Sequence, residues 1–333
     1  MSILFPSFQN RYSIYAALIV QSSYHLNECV EKLKKIINGK VLEQDNGIRL
    51  ETFLKSRLGL TKNEISRAKF RENGICVNGA RKKVSAVLTT GDLVEVLLET
   101  GNERSKGLKA SKEKLSVLYE DEDVIVTDKP AGISVHPAGS RDEDTLANRL
   151  AFYLQSKGEA SVIRIFGRLD KDTSGVVLAA KNRAAATRLE WQRRNGQISK
   201  SYLAITEGIP EPANGHVRTS IEPDPQKKKQ MRVAPEGKPA VTHYETLAAG
   251  QGLALLRLRL ETGRTHQIRV HMASVGCSLL GDPLYGNGTT PEMKRTALHA
   301  RTLSFLQPFT GEKRCVNAPV PEDMEQIFFS IYH

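Results

Sequence analysis

The chain has 333 residues, enough for two domains, and its 48 Lys and Arg outweigh 37 Asp and Glu to give a formal net charge of +11. Residues 49–114 hold 15 basic and 8 acidic side chains, so +7 of the excess lies there and favours a polyanionic partner over a merely solvated surface. The four cysteines are far apart, which argues against a zinc ribbon or a redox pair and suits a reducing cytoplasm. No apolar run approaches the length of a bilayer span, so we expect a cytoplasmic protein with no membrane partner.

Residues 1–46 carry no pattern that indicates chemistry, and we treat them as an N-terminal extension of uncertain role. Within them, residues 27–37 have the spacing of a short amphipathic helix. The pattern sharpens from residue 47. Apolar residues at helical spacing precede a capping-box pair, Thr61 and Glu64, which predicts a second helix over about residues 62–72. A strand at 75–77, a tight hairpin at Asn78 and Gly79, and a strand at 93–97 follow.

Basic side chains cluster at one end of these predicted helices and strands. The sequence of residues 47–98 resembles an S-four-like RNA-binding domain, named for a ribosomal small-subunit protein. The segments that carry the resemblance are Ile-Arg-Leu-Glu-Thr-Phe-Leu, Ser-Arg-Ala-Lys, Ile-Cys-Val-Asn-Gly and Gly-Asp-Leu-Val-Glu-Val. Lys and Arg on a helix face and a hairpin bind phosphates with little sequence choice. We therefore expect RNA contacts from Arg67, Lys69, Arg71, Arg81 and Lys82. Residues 99–114 are polar and basic, which predicts a flexible linker.

The predicted second domain, residues 115–333, begins with strands at 115–119 and 124–127 joined by an acidic turn. Further strands are predicted at 176–180, 200–205 and 253–260, with helices at 182–194 and 264–273. Residues 222–239 contain four prolines around Lys227, Lys228 and Lys229 and indicate a loop, whose basic run is either a solvated tip or an RNA contact.

One loop stands out because it places Arg168 and Asp170 directly before an apolar strand. An arbitrary Asp in a loop usually caps a turn. Here, however, Gly-Arg-Leu-Asp-Lys-Asp-Thr-Ser-Gly resembles the signature of the RluA-like pseudouridine synthases, with Gly167 where His is commoner. The resemblance extends to Lys-Pro-Ala-Gly and Val-His-Pro near residue 130, Lys-Ser-Tyr-Leu-Ala around Tyr202, and Thr-Gly-Arg-Thr-His-Gln-Ile-Arg-Val-His from residue 262.

The resemblance implies an α+β catalytic domain with a mixed, largely antiparallel sheet flanked by helices and loops, beside a small N-terminal α/β RNA-binding domain. It implies that Asp170 is the catalytic carboxylate, that Tyr202 lies against the target base, and that Arg264 pairs with Asp170 and keeps it ionised. Arg168 would contact the RNA backbone or occupy the place of the extruded uridine. Whether Asp170 forms a covalent intermediate or removes a sugar proton stays open. His136 is expected to be structural.

Pseudouridylation is an isomerisation without redox change, so it needs no cofactor, and the sequence has neither a G-x-G-x-x-G helix start nor a Walker loop. The spacing of His266 and His271 would set them about 140° apart on a helix, so we predict no metal site. The expected partner is RNA, ribosomal or transfer, with no obligate protein partner and a monomeric chain. The alternatives are a catalytically silent RNA-binding or ribosome-assembly protein and, less well supported, a metal-dependent hydrolase.

Overall fold

The computed structural model describes residues 34–99, 109–137, 144–158 and 163–332, and the chain divides into two units, residues 1–102 and 103–333. The helices of the first unit are α1, Leu50–Ser56, and α2, Lys62–Lys69. Its strands are β1, Lys34–Lys40; β2, Ile75–Val77; β3, Ala80–Arg81; and β4, Leu93–Glu99. They form an antiparallel sheet in the order β1-β4-β2-β3, and the buried faces of both helices supply the unit's core.

The first unit begins earlier in the sequence than residue 47. Strand β1 pairs with β4 along its whole length, from Lys34 opposite Glu99 to Lys40 opposite Leu93. The predicted helix over residues 27–37 is therefore wrong for its last four residues, which are extended, and the rest of it lies outside the described residues. Helical spacing in a short apolar segment was outweighed here by pairing with a strand distant in sequence.

Helix α2 begins as predicted and ends earlier than predicted. The Thr61 hydroxyl accepts from the Glu64 backbone N–H at 3.2 Å, and the Glu64 carboxylate accepts from the Thr61 N–H at 2.9 Å, which completes the capping box. The helix ends at Lys69 rather than near residue 72, because Phe70, with φ of −89° and ψ of 0°, departs from regular helical torsion angles. Asn73 then adopts a left-handed conformation, with φ of 50°, and turns the chain into β2.

The second unit is built on a large mixed sheet. Its strands are β5, Ser116–Glu120; β6, Val124–Lys129; β7, Arg164–Phe166; β8, Ser174–Ala180; β9, Ser199–Glu207; β10, Asn214–Pro223; β11, Met231–Val233; β12, Lys238–Gly250; β13, Leu253–Leu260; β14, Leu298–Leu306; and β15, Lys313–Asn317. Its helices are α3, Leu146–Ser156; α4, Arg183–Arg194; α5, Gln267–Ser274; and α6, Glu322–Tyr332. The sheet order is β11-β10-β12-β13-β9-β14-β8-β6-β5, with β15 on β14 and β7 on β8.

This architecture confirms the predicted α+β class and the mixed, largely antiparallel sheet. Strand β8 is buried along its whole length, as expected of a central strand with both faces covered. The main core lies around β6, β8, β9 and β13, and a second cluster lies beneath α6 through Met324, Ile327 and Ile331. The predicted loop at 222–239 holds a short strand, β11, which pairs with the end of β10.

One parallel contact joins the two halves of the large sheet. Within the described part of the second unit, β14 runs parallel to β8 and the remaining strand pairs are antiparallel. At this contact Gly175, with φ of +113°, approaches β14 so closely that a Cβ atom would lie 2.2 Å from the carbonyl oxygen of Ala300. The Thr-Ser-Gly sequence is thus a backbone requirement, since only glycine fits both the torsion angle and the space.

Candidate active site

Asp170 lies on the loop between β7 and β8. Its carboxyl group retains 21 % of its surface exposed, so it is supported by protein yet open to a ligand. Within the loop, the Thr173 backbone N–H donates to the Asp170 carbonyl at 3.1 Å. This closes a tight turn and holds Asp170 immediately before the rigid strand β8.

Two lysine ammonium groups support the ends of the loop formed by residues 167–173. Lys129 is fully buried, and its Nζ donates to the carbonyls of Pro130, Ile133 and Lys171 at 2.8, 2.9 and 3.0 Å. Burial lowers the pKa of Lys129 to about 8, and the charges of Asp172 and Asp170 oppose that shift. These bonds tie the Lys-Pro-Ala-Gly segment to the loop beside Asp170.

At the other end of the loop, Lys200 donates from Nζ to the Val176 carbonyl at 3.1 Å. A Cβ atom on Gly167 would lie 3.5 Å from this Nζ, so the Lys200 ammonium lies next to the residue that begins the loop. Burial lowers the pKa of Lys200 to about 8. Lys129 and Lys200 were not predicted as functional residues, although both belong to segments that carry the family resemblance.

Tyr202 lies at the same level of the sheet as the end of the Asp170 loop. It sits on β9 opposite Ala300 of β14, and Ala300 in turn pairs with Gly175 of β8. The side chain is buried, and burial, together with the negative charge of Asp170, raises its pKa above the usual value. Tyr202 therefore keeps its proton at neutral pH, so its hydroxyl can donate a hydrogen bond but cannot serve as a base.

The cation beside Asp170 is Arg269 of α5. Its Nη1 lies 3.4 Å from Oδ2 of Asp170, while Nε and Nη2 bind the two carboxylate oxygens of Asp282 at 2.6 and 2.7 Å. Asp282 is fully buried and also accepts from the backbone N–H groups of Leu284 and Tyr285. A bidentate pair of this kind fixes the plane of the guanidinium, so Asp282 orients the donor that faces Asp170.

Arg264, which the sequence predicted as the partner of Asp170, lies elsewhere. It is exposed, and its Nε donates to the Pro239 carbonyl at 3.1 Å. The predicted helix starts at Gln267 rather than at residue 264, because His266 takes a left-handed conformation with φ of 54°. Arg264 therefore belongs to the preceding turn, whereas Arg269 is carried by the helix. The side chain of Gln267 accepts from the Arg264 backbone N–H and so fixes that turn.

His266 and Tyr285 complete the surroundings of Asp170. Nε2 of His266 lies 3.9 Å from Oδ2 of Asp170, and its Nδ1 is 2.8 Å from the Tyr285 hydroxyl. Burial lowers the pKa of His266, so the imidazole is neutral at physiological pH. The Tyr285 ring lies 5.1 Å from the Arg269 guanidinium carbon, and its hydroxyl accepts from the Met231 N–H at 2.7 Å. These contacts connect the short strand β11 to the site.

Arg168 is exposed on the Asp170 loop, two residues before the carboxylate. Its positive charge acts on His136, whose pKa is lowered first by desolvation and then by Arg168. Arg168 therefore lies near the Val-His-Pro segment, with its guanidinium at the surface. An exposed cation at the rim of a site is suited to a phosphate or to a displaced base.

Among the described residues, no three or more His, Cys, Asp or Glu side chains are placed to hold a metal ion. His266 contacts Tyr285, and His271 lies deep in the core with Nδ1 2.9 Å from the Thr242 hydroxyl. No helix in the described part of the chain is long and apolar enough to cross a membrane.

The basic residues predicted to contact RNA come from two elements of the first unit. Arg67 and Lys69 are exposed on α2, Arg71 is half-buried just after it, and Arg81 and Lys82 are exposed on the β3 side of the hairpin. Arg81 donates from Nη2 to the Lys69 carbonyl at 2.8 Å, which joins the hairpin to the end of α2.

Comparison with known proteins identifies the family of the chain. Residues 123–274, which contain Asp170, Tyr202 and Arg269, match the model of a family described as RNA pseudouridylate synthase. A Bacillus subtilis (strain 168) protein named "Uncharacterized RNA pseudouridine synthase YjbO" is 37 % identical over 270 residues, 81 % of this chain and 95 % of its own length. The chain belongs to the RNA pseudouridylate synthase family. It is therefore an isomerase of the kind that acts on RNA.

Other relatives carry more specific names. The "Ribosomal large subunit pseudouridine synthase D" of Haemophilus ducreyi is 38 % identical over 268 residues, covering 77 % of this chain and 80 % of that protein. The solved structure of "Human RNA Pseudouridylate Synthase Domain Containing 4" matches with a TM-score of 0.54 and 25 % identity, over 65 % of this chain and 93 % of the human one. The fold of the second unit is thus that of the family.

Proposed function

We propose that this chain converts specific uridines of large-subunit ribosomal RNA to pseudouridine, with Asp170 as the catalytic carboxylate. The observation that carries the proposal is the pairing of the partly exposed Asp170 with Arg269, which is itself fixed by the buried Asp282. The name of the Haemophilus ducreyi relative supports the choice of RNA. A carboxylate held open to a ligand beside a fixed cation is what an attacking or proton-abstracting group requires.

The reaction breaks the bond between uracil and its ribose and rejoins the ring through a carbon. A C–H bond of uracil is lost and an N–H bond is gained, so reactant and product are isomers. Asp170 supplies the nucleophile or base, at the anomeric carbon, the uracil ring or a sugar proton. Tyr202 supplies a ring face for the uracil and a protonated hydroxyl. Arg168 stabilises the RNA from which the uridine has been extruded.

The small first unit would hold the RNA through its phosphates. Positive charge comes from a helix end and a hairpin, through Arg67, Lys69, Arg71, Arg81 and Lys82. Contacts of this kind give affinity that falls steeply with salt and carry little sequence choice. Specificity for a uridine would then come from RNA shape and from the active site.

The proposal is tested by replacing Asp170 with Asn. Purified wild-type protein, Asp170→Asn and the matched control Asp172→Asn are incubated with ribosomal and transfer RNA whose uridines carry tritium at C5. Release of tritium reports pseudouridine formation. Wild type and Asp172→Asn should release it, whereas Asp170→Asn should not, while all three bind RNA equally.

Mapping of the modified positions then identifies the substrate. Sites in ribosomal RNA support the proposal, and sites confined to transfer RNA contradict its substrate while preserving its chemistry. Retained activity in Asp170→Asn would remove that residue from its role. Absence of activity in the wild type, with RNA binding intact, would favour a binding or assembly protein instead.

A further inference from the structure

An aromatic ring is exposed at the basic end of the first unit. Phe70 follows the last residue of α2 and is 77 % exposed, which is more than any other large apolar side chain in the part of the chain that the structure describes. On the same helix Ile65 and Ala68 are buried in the core. Phe70 therefore lies outside the core that the helix helps to form, and its ring is open to a ligand.

Basic side chains from two elements lie at the end of α2 that carries Phe70. Nζ of Lys69 lies 4.7 Å from the centroid of Phe70, and Arg71 follows directly in sequence. The hairpin contributes Arg81, whose guanidinium donates to the Lys69 carbonyl at 2.8 Å. Glu72 is the only acid among residues 67–73. Single exposed phenylalanines are common on protein surfaces. One that contacts a lysine, on a helix end bonded to a basic hairpin, is suited to a polyanion that also offers aromatic faces.

The backbone that follows Phe70 forms a tight turn. The Arg71 N–H donates to the Ala68 carbonyl at 3.0 Å, and Asn73 is left-handed. The chain then passes so close to α2 that a Cβ atom on Gly74 would lie 2.0 Å from the Ala68 carbonyl oxygen. A tight turn of this kind lowers the conformational freedom lost when a ligand binds.

We propose that Phe70 is a stacking platform for an unpaired nucleobase of the RNA substrate. The base would lie on the ring while Lys69, Arg71 and Arg81 contact the phosphates on either side of it. Stacking accepts any base, because every base has a π-face. The first unit would thus prefer a single-stranded loop or end over a continuous duplex. This inference rests on the proposed action on RNA and adds a strand preference to it.

Binding of the full-length protein to two RNA probes tests the proposal. One probe is a single strand of about 12 nucleotides, within the usual site size of stacking proteins, and the other is a duplex of about 16 base pairs. The variants are Phe70→Ala, Phe70→Trp and the control Phe329→Ala, which removes a phenylalanine that is 60 % exposed on α6 of the second unit.

Phe70→Ala should weaken single-strand binding about 10-fold, within the range measured for loss of one stacked base. Phe70→Trp and Phe329→Ala should bind as the wild type does, and duplex binding should be the same in all four proteins. The salt dependence should not change in Phe70→Ala, since stacking releases no counterions, whereas Arg71→Ala should reduce its slope by about one.

A fluorescence measurement reports the stack directly. The chain has one tryptophan, Trp191, so Phe70→Trp adds a second whose emission should be quenched by the single strand and not by the duplex. Unquenched emission, or equal loss of single-strand and duplex binding in Phe70→Ala, would overturn the stacking role.

The inference and the proposed function fail separately. Full RNA affinity in Phe70→Ala combined with weakened binding in Arg71→Ala and Arg81→Ala would overturn only the stack, and would leave the ring to an acidic protein partner. Unchanged binding in all three variants would refute RNA contact by the first unit as well. The tritium-release assay, with wild type and Asp170→Asn, tests the catalytic proposal independently of all these outcomes.

Discussion

Replacement of Arg269 by Lys tests which arginine of the Thr-Gly-Arg-Thr-His-Gln-Ile-Arg segment, Arg264 or Arg269, supports Asp170. The guanidinium of Arg269 binds Asp282 through two nitrogens and reaches Asp170 with the third. A lysine keeps the positive charge but has one nitrogen, which cannot span both carboxylates. Because Asp282 is fully buried and needs a cation, we expect the lysine to remain with Asp282 and to lose the contact with Asp170.

The expected size follows from the geometry. At the 3.4 Å between Arg269 and Asp170, two unit charges attract by about 5 kcal/mol at an effective dielectric constant of about 20. The lysine retains part of this attraction from a greater distance. Because this attraction holds the reacting carboxylate in place, its weakening lets Asp170 move, and a misplacement of about 1 Å should lower kcat about 100-fold. Loss of one charged hydrogen bond to Asp282 should cost about 2 kcal/mol of stability, which a protein stable by about 5–15 kcal/mol survives.

The assay is tritium release at saturating RNA, with KM, RNA affinity and the urea midpoint measured on the same preparations. Arg269→Lys should lower kcat while KM and RNA affinity stay near the wild-type values. Arg264→Lys is the matched control, because Arg264 is exposed and its guanidinium bonds to the Pro239 carbonyl rather than to a carboxylate. Its kcat should remain within about 3-fold of the wild type, the size expected of losing one ordinary hydrogen bond.

The reverse result would refute the reasoning. If Arg264→Lys lost activity and Arg269→Lys kept it, Arg264 would have to reach Asp170 during catalysis, as the sequence alone predicted. A raised KM with an unchanged kcat for Arg269→Lys would point to RNA binding rather than to the support of Asp170.

Two further predictions concern the loop and its supports. Gly175→Ala should lower the free energy of unfolding in urea by well over 2 kcal/mol, because the new Cβ would collide with the Ala300 carbonyl. The control Gly288→Ala, also at positive φ but with nothing within 4 Å of its Cβ, should lower it by only about 1 kcal/mol. Equal losses of stability would contradict the close approach of Gly175 to β14. Burial lowers the pKa of Lys200 to about 8 from its usual value near 10.4, so between these pH values the unfolded chain binds more protons at Lys200 than the folded chain does. The stability of the wild type relative to Lys200→Met should therefore rise with pH across that window, by at most about 1.4 kcal/mol per pH unit. The urea midpoints of both proteins are measured at pH 7.5, 8.5 and 9.5, and a constant difference between them would contradict a buried ammonium at this position.

Local sequence was sufficient for the features that depend on near neighbours. The capping box at Thr61 and the strand over Leu253–Leu260 depend on residues within a few positions of one another, and both were predicted correctly. The motif around Asp170 likewise predicted a loop that runs into a buried strand. The catalytic roles of Asp170 and Tyr202 remain proposals, supported by the charge of Asp170 acting on the Tyr202 hydroxyl.

The sequence by itself determined the family motifs, the α+β class and the loop that carries Asp170. Only the tertiary structure decided which arginine faces that carboxylate, because the choice depends on the left-handed turn at His266 and on a contact between residues 99 positions apart in sequence. It also decided that Lys34–Lys40 is a strand, since its partner β4 lies more than fifty residues away. The spacing of apolar residues within a segment indicates which hydrogen bonds that segment can make with itself. Pairing with a distant strand depends instead on how the rest of the chain folds.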